Sequence, residues 1–254
     1  CSGDCLFCPN DVRMPKSYLH DEPACQRAER NWFDPYLQVT ARLRTLHQMG
    51  HVTDKVELIV LGGTWSDYPE AYQIWYMHEL FRALNDMGCE TAVERESETR
   101  RKQYRDAGIA CERDDLANWA AEAQARVTAG DASYNETVRN LYACGTLADN
   151  ALLHSRSTDR NAASIDAPLC SAAADDTQDA ASEPFALDNL QGSASDSGWA
   201  AAAQWQTATF SQLEALQREN EAAEHRCVGL VVETRPDAVT PNRLATLRRL
   251  GCTK

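Results

Sequence analysis

Apolar positions alternate between two spacings along the chain, and the switch between them predicts its elements. Asp34 and Pro35 read as an N-cap and a first-turn proline, and Val39, Leu43 and Leu46 then recur at helical spacing until Gly50 supplies a stop. After a turn at 51–54, residues 55–61 (KVELIVL) form a short branched apolar run closed by Gly62 and Gly63, as expected of a buried strand. Residues 67–70, with Pro69 in the first turn, open a second helix whose Tyr72, Trp75, Tyr76, Leu80, Ala83 and Leu84 share one face. Helical spacing accounts for that aromatic stripe as core packing. Helix, strand, Gly-Gly turn, helix is the repeating unit of a parallel α/β structure. The unit returns near the end of the chain, with an apolar run at 227–232, a polar turn at 233–237 (ETRPD) and an amphipathic helix over 242–250 stopped by Gly251.

Other segments lack this pattern. Residues 1–33 are polar and loop-like, with Pro9, Pro15 and Pro23. Residues 86–225 are rich in Glu, Arg, Ala, Asp and Ser, with helical stretches around 116–127, 134–142 and 210–224; residues 155–203 approach low complexity. We read 86–225 as an acidic insertion, largely helical or disordered, between consecutive α/β units, the alternative being a helical second domain.

Charge sharpens this division. Of 254 residues, 25 are Lys or Arg and 38 Asp or Glu, a net charge of -13. Residues 1–110 carry 13 basic and 17 acidic side chains, 111–225 carry 6 and 19, and 226–254 carry 6 and 2. Acidity argues against a polyanionic partner only for the middle. No apolar run reaches the roughly 18 residues that span a bilayer, and no secretory signal pattern opens the chain, so a cytoplasmic location and no membrane partner are expected. The chain begins at Cys1 and stops just after a helical pattern, and we expect it to be a fragment of a longer protein.

The ten cysteines are read as reduced thiols rather than a disulfide framework. Three are packed together: Cys1, Cys5 and Cys8 form C-x3-C-x2-C. A structural zinc site wants four protein ligands and a [4Fe-4S] cluster usually has four cysteines, so a three-thiolate loop leaves one iron open to S-adenosylmethionine. Zinc with His20 or Cys25 as fourth ligand, or unrelated thiols, are the other readings.

That spacing, with Phe7 before the third cysteine, resembles the radical SAM superfamily. The surrounding PKSY (15–18), DEP (21–23), Arg27, Arg30, DPY (34–36), GH (50–51), DKVE (54–57), GGT (62–64), ETRPD (233–237) and GCT (251–253) resemble the catalytic subunit of Elongator and its single-chain bacterial and archaeal relatives. The resemblance covers 1–85 and 226–254. It implies a partial radical SAM (TIM-like) barrel, with 1–85 as its first part, 86–225 inserted, and 226–254 as its continuation. It also implies a tRNA-modifying enzyme that builds a carboxymethyl group on C5 of the wobble uridine, position 34, from acetyl-CoA and S-adenosylmethionine. In the family's proposed mechanism, a 5′-deoxyadenosyl radical takes hydrogen from the acetyl methyl group, the carbon radical adds to the uridine, and thioester hydrolysis leaves the product. Implied partners are the tRNA anticodon stem-loop and an electron donor, with homo-oligomerisation left open.

By this resemblance Cys1, Cys5 and Cys8 carry the cluster and Lys55 binds acetyl-CoA; an ordinary solvated lysine is the alternative. Gly62, Gly63 and Thr64 at a strand's carboxyl end let a ligand amino group approach the backbone, or form a simple turn. Glu233 and Arg235 point into the same mouth to hold S-adenosylmethionine, or form an internal ion pair. Arg13, Lys16, Arg27 and Arg30 contact tRNA phosphate, or are solvated surface charges. The acidic middle is expected to stand away from that face or to be mobile, since it repels phosphate. A radical SAM enzyme with another substrate and a zinc-binding scaffold remain as competing functions.

Overall fold

The computed structural model describes residues 7–14, 16–109, 114–143 and 198–254. Cys1, Cys5, Pro15 and most of the low-complexity stretch lie outside the described residues. The described chain is a mixed α/β structure, mostly helical: α1 (Pro23–Glu29), α2 (Pro35–Gln48), β1 (Lys55–Val60), α3 (Glu70–Asp86), α4 (Glu90–Asp106), α5 (Asp114–Ala129), α6 (Tyr134–Ala143), α7 (Gly198–Ala203), α8 (Phe210–Asn220), β2 (Arg226–Val232) and α9 (Pro241–Arg249). No helix among the described residues is long and apolar enough to cross a membrane.

The signals at α2 act as their chemistry dictates. The Asp34 carboxylate accepts a hydrogen bond from the Leu37 amide at 2.9 Å, and Pro35 fills the first turn. At the start of α3, Pro69 is the N-cap rather than a first-turn residue, because Trp65–Asp67 forms a separate 3-10 turn ahead of it. Within 1–33, α1 is a helix that the polar composition did not reveal.

β1 and β2 pair in parallel, Lys55 beside Arg226 and Val60 beside Val232, with an irregularity at Val56/Glu57. Together they make one two-stranded sheet, and a closed barrel is not formed among the described residues. Thr253 and Lys254 bond to the far edge of β2: the Thr253 amide donates to the Leu230 carbonyl at 2.8 Å, and the Lys254 carbonyl accepts from the Val232 amide at 3.4 Å.

One face of the sheet packs against helices. Leu230 is fully buried there with Leu37, Leu84, Leu213 and Leu250, and Val56, Leu58 and Val232 lie against them. The other face is open, which is where the expected fully buried strand differs: Ile59 remains 58% exposed and Leu61 43%.

The acidic segment contributes to this core. α8 packs along α3 through Leu213, and α4 packs on α2 and α3 through Val93, Arg100 and Tyr104. The Trp32 and Tyr104 rings stack with centroids 5.7 Å apart. A smaller cluster joins Ala120 and Ala123 of α5 and Tyr134 of α6 to Val12. There the Gln124 side-chain carbonyl accepts from the Val12 amide at 3.0 Å, and the Tyr134 hydroxyl donates to the Met14 carbonyl at 2.7 Å. α5 and α6 of the acidic segment therefore sit directly on residues 10–14 of the loop that follows the cysteine motif, while residues 144–197 of that segment lie outside the described residues.

Candidate functional site

In a parallel sheet all strands deliver their carboxyl ends to one side, so side chains far apart in sequence meet there. β1 ends in Gly62, Gly63 and Thr64, and β2 ends in Glu233, Thr234 and Arg235. Two bonds tie these ends together. The Trp65 amide donates to the Glu233 carbonyl at 2.8 Å, and the Ser66 and Thr234 hydroxyls lie 2.6 Å apart. Gly62 and Gly63 have φ of 148° and 68°, backbone that a side chain would strain, and the Gly62 carbonyl accepts from the Tyr68 hydroxyl at 3.2 Å.

The loop after the cysteine motif reaches the same place. The Tyr18 hydroxyl donates to Glu233 Oε2 at 2.5 Å, across 215 residues. Its neighbour Ser17, held at φ 84°, donates from its hydroxyl to Cys8 Sγ at 3.2 Å. Burial, and then the bonded Glu233 carboxylate, push the Tyr18 hydroxyl well above its ordinary range, so it stays a proton donor. Cys8 thus lies on a continuous path to the strand ends.

A cavity of about 490 Å³ opens beside these groups. Tyr18, Gly62, Gly63 and Glu233 border it, and Trp65 and Tyr72 supply aromatic wall. Trp65 is buried, yet its Nε1–H has no hydrogen-bond partner among the described residues. A buried unpaired donor is costly to leave, and the residue that carries it borders a cavity large enough for a small molecule. Tyr72 and Tyr76, read as plain core packing, also line this space, whereas Trp75 is buried.

The remaining candidates fall in different places. Cys1 and Cys5 lie outside the described residues; Cys8 is a free, half-buried thiol. Thr64 is buried, and its carbonyl accepts from the Asp67 amide at 3.0 Å. The Arg235 guanidinium is held by Asp237, at 2.9 Å and 2.5 Å, rather than joining Glu233. Lys55 is exposed at the amino end of β1, roughly 20 Å from the glycines at about 3.3 Å per residue. The structure does not bring it to the strand ends.

Among the four basic residues after the cysteines, Arg13 is clasped by both carboxylate oxygens of Asp11, and Lys16 is buried with its ammonium 5.7 Å from the Tyr134 ring centre. Arg27 and Arg30 are exposed. Of the alternative zinc ligands, Cys25 is buried, and burial followed by the nearby Glu22 raises its thiol pKa, while His20 Nδ1 lies 3.1 Å from Glu29 Oε2. No group of three or more His, Cys, Asp or Glu side chains fit to hold a metal occurs among the described residues. Ser17, Tyr18, Ser66 and Thr234 were missed as site residues, since no spacing rule links positions so far apart in the chain.

No family model matches the chain. The tRNA uridine(34) acetyltransferase of Dehalococcoides mccartyi is 37% identical over 112 residues, which cover 44% of this chain and 24% of that protein. The protein of the same name from Methanocaldococcus infernus is 42% identical over 89 residues, 33% of this chain and 17% of that one. Elongator complex protein 3 of Danio rerio is 36% identical over 113 residues, 42% of this chain and 21% of that protein. The matched part therefore spans about a quarter or less of these relatives, and through it the chain is homologous to the tRNA uridine(34) acetyltransferase and Elongator complex protein 3 family.

Proposed function

We propose that this chain forms part of a radical SAM tRNA-modifying enzyme that installs a carboxymethyl group on C5 of the wobble uridine, using S-adenosylmethionine and acetyl-CoA. The observation that carries the reading is the meeting of Cys8, through Ser17 and Tyr18, with Glu233 and the Gly62-Gly63 turn at the carboxyl ends of two parallel strands. A [4Fe-4S] cluster held by Cys1, Cys5 and Cys8 supplies, when bound, the electron for reductive cleavage of S-adenosylmethionine. Of that donor set Cys8 lies among the described residues, a free sulfur that accepts a hydrogen bond from Ser17, as cluster thiolates do.

The chain's own groups then bind and orient. The Gly62-Gly63 backbone admits the cofactor's ammonium to within carbonyl reach, and the Glu233 carboxylate accepts from its amino or ribose hydroxyl groups. Lys55 is assigned to the anionic part of acetyl-CoA at the amino end of β1, so Lys55→Ala is expected to weaken acetyl-CoA binding and leave S-adenosylmethionine binding unchanged. For the tRNA, the reading narrows from four basic residues to Arg27 and Arg30, because Arg13 and Lys16 are engaged internally.

The test is anaerobic reconstitution of the full chain with iron and sulfide, for wild type and a variant with Cys1, Cys5 and Cys8 changed to Ala. A brown wild type holding about four irons and a colourless variant are expected, followed by acetyl-CoA-dependent modification of tRNA. A colourless wild type that takes up one zinc through these thiols would overturn the reading in favour of a zinc-binding scaffold. An iron-loaded protein that cleaves S-adenosylmethionine but ignores acetyl-CoA would move the substrate elsewhere.

A further inference from the structure

A carboxylate at the end of a strand has two rotatable bonds beyond its Cβ and rarely keeps one orientation unless something holds it. Glu233 is held from the far side of the chain. Its Oε2 accepts from the Tyr18 hydroxyl, and its main-chain carbonyl is fixed by the Trp65 amide. The other carboxylate oxygen, Oε1, has no partner among the described residues, and Glu233 borders the cavity that Trp65 also lines. One oxygen is pinned and the other is left for a ligand.

The segment that supplies Tyr18 is itself strained into place. Ser17 is a non-glycine residue in the left-handed region at φ 84°, its amide bonds to the Pro9 carbonyl at 3.2 Å, and its hydroxyl is spent on Cys8. Strain of this kind persists only where surrounding contacts enforce it, and it collects at binding sites. At this turn two adjacent side chains serve different groups, Ser17 the cysteine sulfur and Tyr18 the strand-end carboxylate.

We infer that Tyr18 is a positioning residue that orients Glu233 toward S-adenosylmethionine and so couples the geometry of the cysteine loop to the cofactor's binding groups. The inference rests on the reading given above and extends it to a residue that does not itself touch the cofactor. Losing a hydrogen bond to a charged group weakens what that group binds by about tenfold.

The test measures S-adenosylmethionine affinity by calorimetry on the iron-reconstituted full chain, for wild type, Tyr18→Phe, Glu233→Gln and the double variant. Tyr18→Phe is expected to bind about tenfold more weakly, with an unchanged melting temperature. In the Glu233→Gln background the same change is expected to have less than a twofold effect, because Tyr18 acts through that carboxylate. Wild-type affinity in Tyr18→Phe, or fully additive losses in the double variant, would overturn the inference while leaving the proposed function standing. Should Tyr18→Phe melt early, Glu233→Asp replaces it: drawing the carboxylate back by one methylene is expected to give the same loss, and unchanged affinity there would overturn the inference. A wild type that carries its cluster but does not bind S-adenosylmethionine removes the reading of the site and this inference with it.

Discussion

Two polar networks join distant parts of this chain, using nearly the same side chains for different ends. In the first, Arg100 of α4 reaches Asp34 at 3.1 Å, Glu96 at 2.8 Å and Glu79, and the Tyr104 hydroxyl donates to Asp34 at 2.8 Å. Asp34 also caps α2, and the Arg100 guanidinium lies 4.5 Å from the Tyr36 ring centre. Asp34, Glu79 and Arg100 are all buried. In the second, Tyr18 and Glu233 meet at the strand ends beside an open cavity, and one carboxylate oxygen has no partner among the described residues. The first network is buried and paired throughout, so it holds α4 against α2 and α3. The second is exposed beside a cavity, with one carboxylate oxygen unpartnered among the described residues, so it can bind. Burial and the count of unused lone pairs separate them, rather than residue type.

Removing Arg100 tests that contrast most severely. Burial pushes the Asp34 carboxyl up, and Arg100 is the main influence pulling it back. Arg100→Ala leaves the buried Asp34 carboxylate without its cation, while Glu79 keeps His78 at 2.8 Å and Arg82 at 3.8 Å, and is expected to cost about 3–5 kcal/mol in urea unfolding. S-adenosylmethionine affinity of the protein that stays folded is expected not to move. A loss below about 1 kcal/mol, of the size seen for surface pairs, would show that the network is not structural.

Next comes the acidic segment's place in the core. Leu213 on α8 is fully buried against α3. Leu213→Ala is expected to destabilise by about 2–5 kcal/mol, and a change near zero would mean that α8 is an appendage.

The first network was hidden in the sequence for a definite reason. α4 buries Val93, Ser97, Arg100 and Tyr104, a regular helical stripe in which only one member is aliphatic. Reading apolar spacing alone makes it a solvated, highly charged helix, and only the pairing of Arg100 with Asp34 and Glu79 explains its burial. By contrast α2, β1, α3, β2 and α9 were legible because each carries its own local signals, such as Asp34 and Pro35 at the start of α2. The strand-end turns were legible too, as polar and glycine-rich ends to apolar runs. What joins them was not, because Tyr18 and Glu233 are separated by 215 residues and meet only through the parallel register of β1 and β2.

A smaller effect lies at the edge of the sheet. Cys252 is buried beside β2, and burial pushes its thiol from 9.0 up to about 11. The unfolded chain therefore loses this proton first. The stability tied to the protonated thiol is complete below pH 9.0 and is lost as pH rises toward about 11, by at most roughly 3 kcal/mol. Melting temperatures across that window are expected to fall less steeply in Cys252→Ala than in wild type; equal slopes would assign the loss to other groups.

The least perturbing change is the one that sharpens the comparison. Glu233 is exposed, and among the described residues its carboxylate is bonded by Tyr18 alone, from which Gln can still accept. Glu233→Gln is expected to alter stability by no more than about 0.5 kcal/mol, the range of ordinary surface substitutions. It removes the charge that would attract a cofactor's ammonium, so affinity is expected to fall while the fold does not. Arg100→Ala is expected to do the reverse. If instead Glu233→Gln unfolds the chain as readily as Arg100→Ala, the strand-end carboxylate is a second structural clamp, and the free oxygen at Glu233 has no ligand to serve.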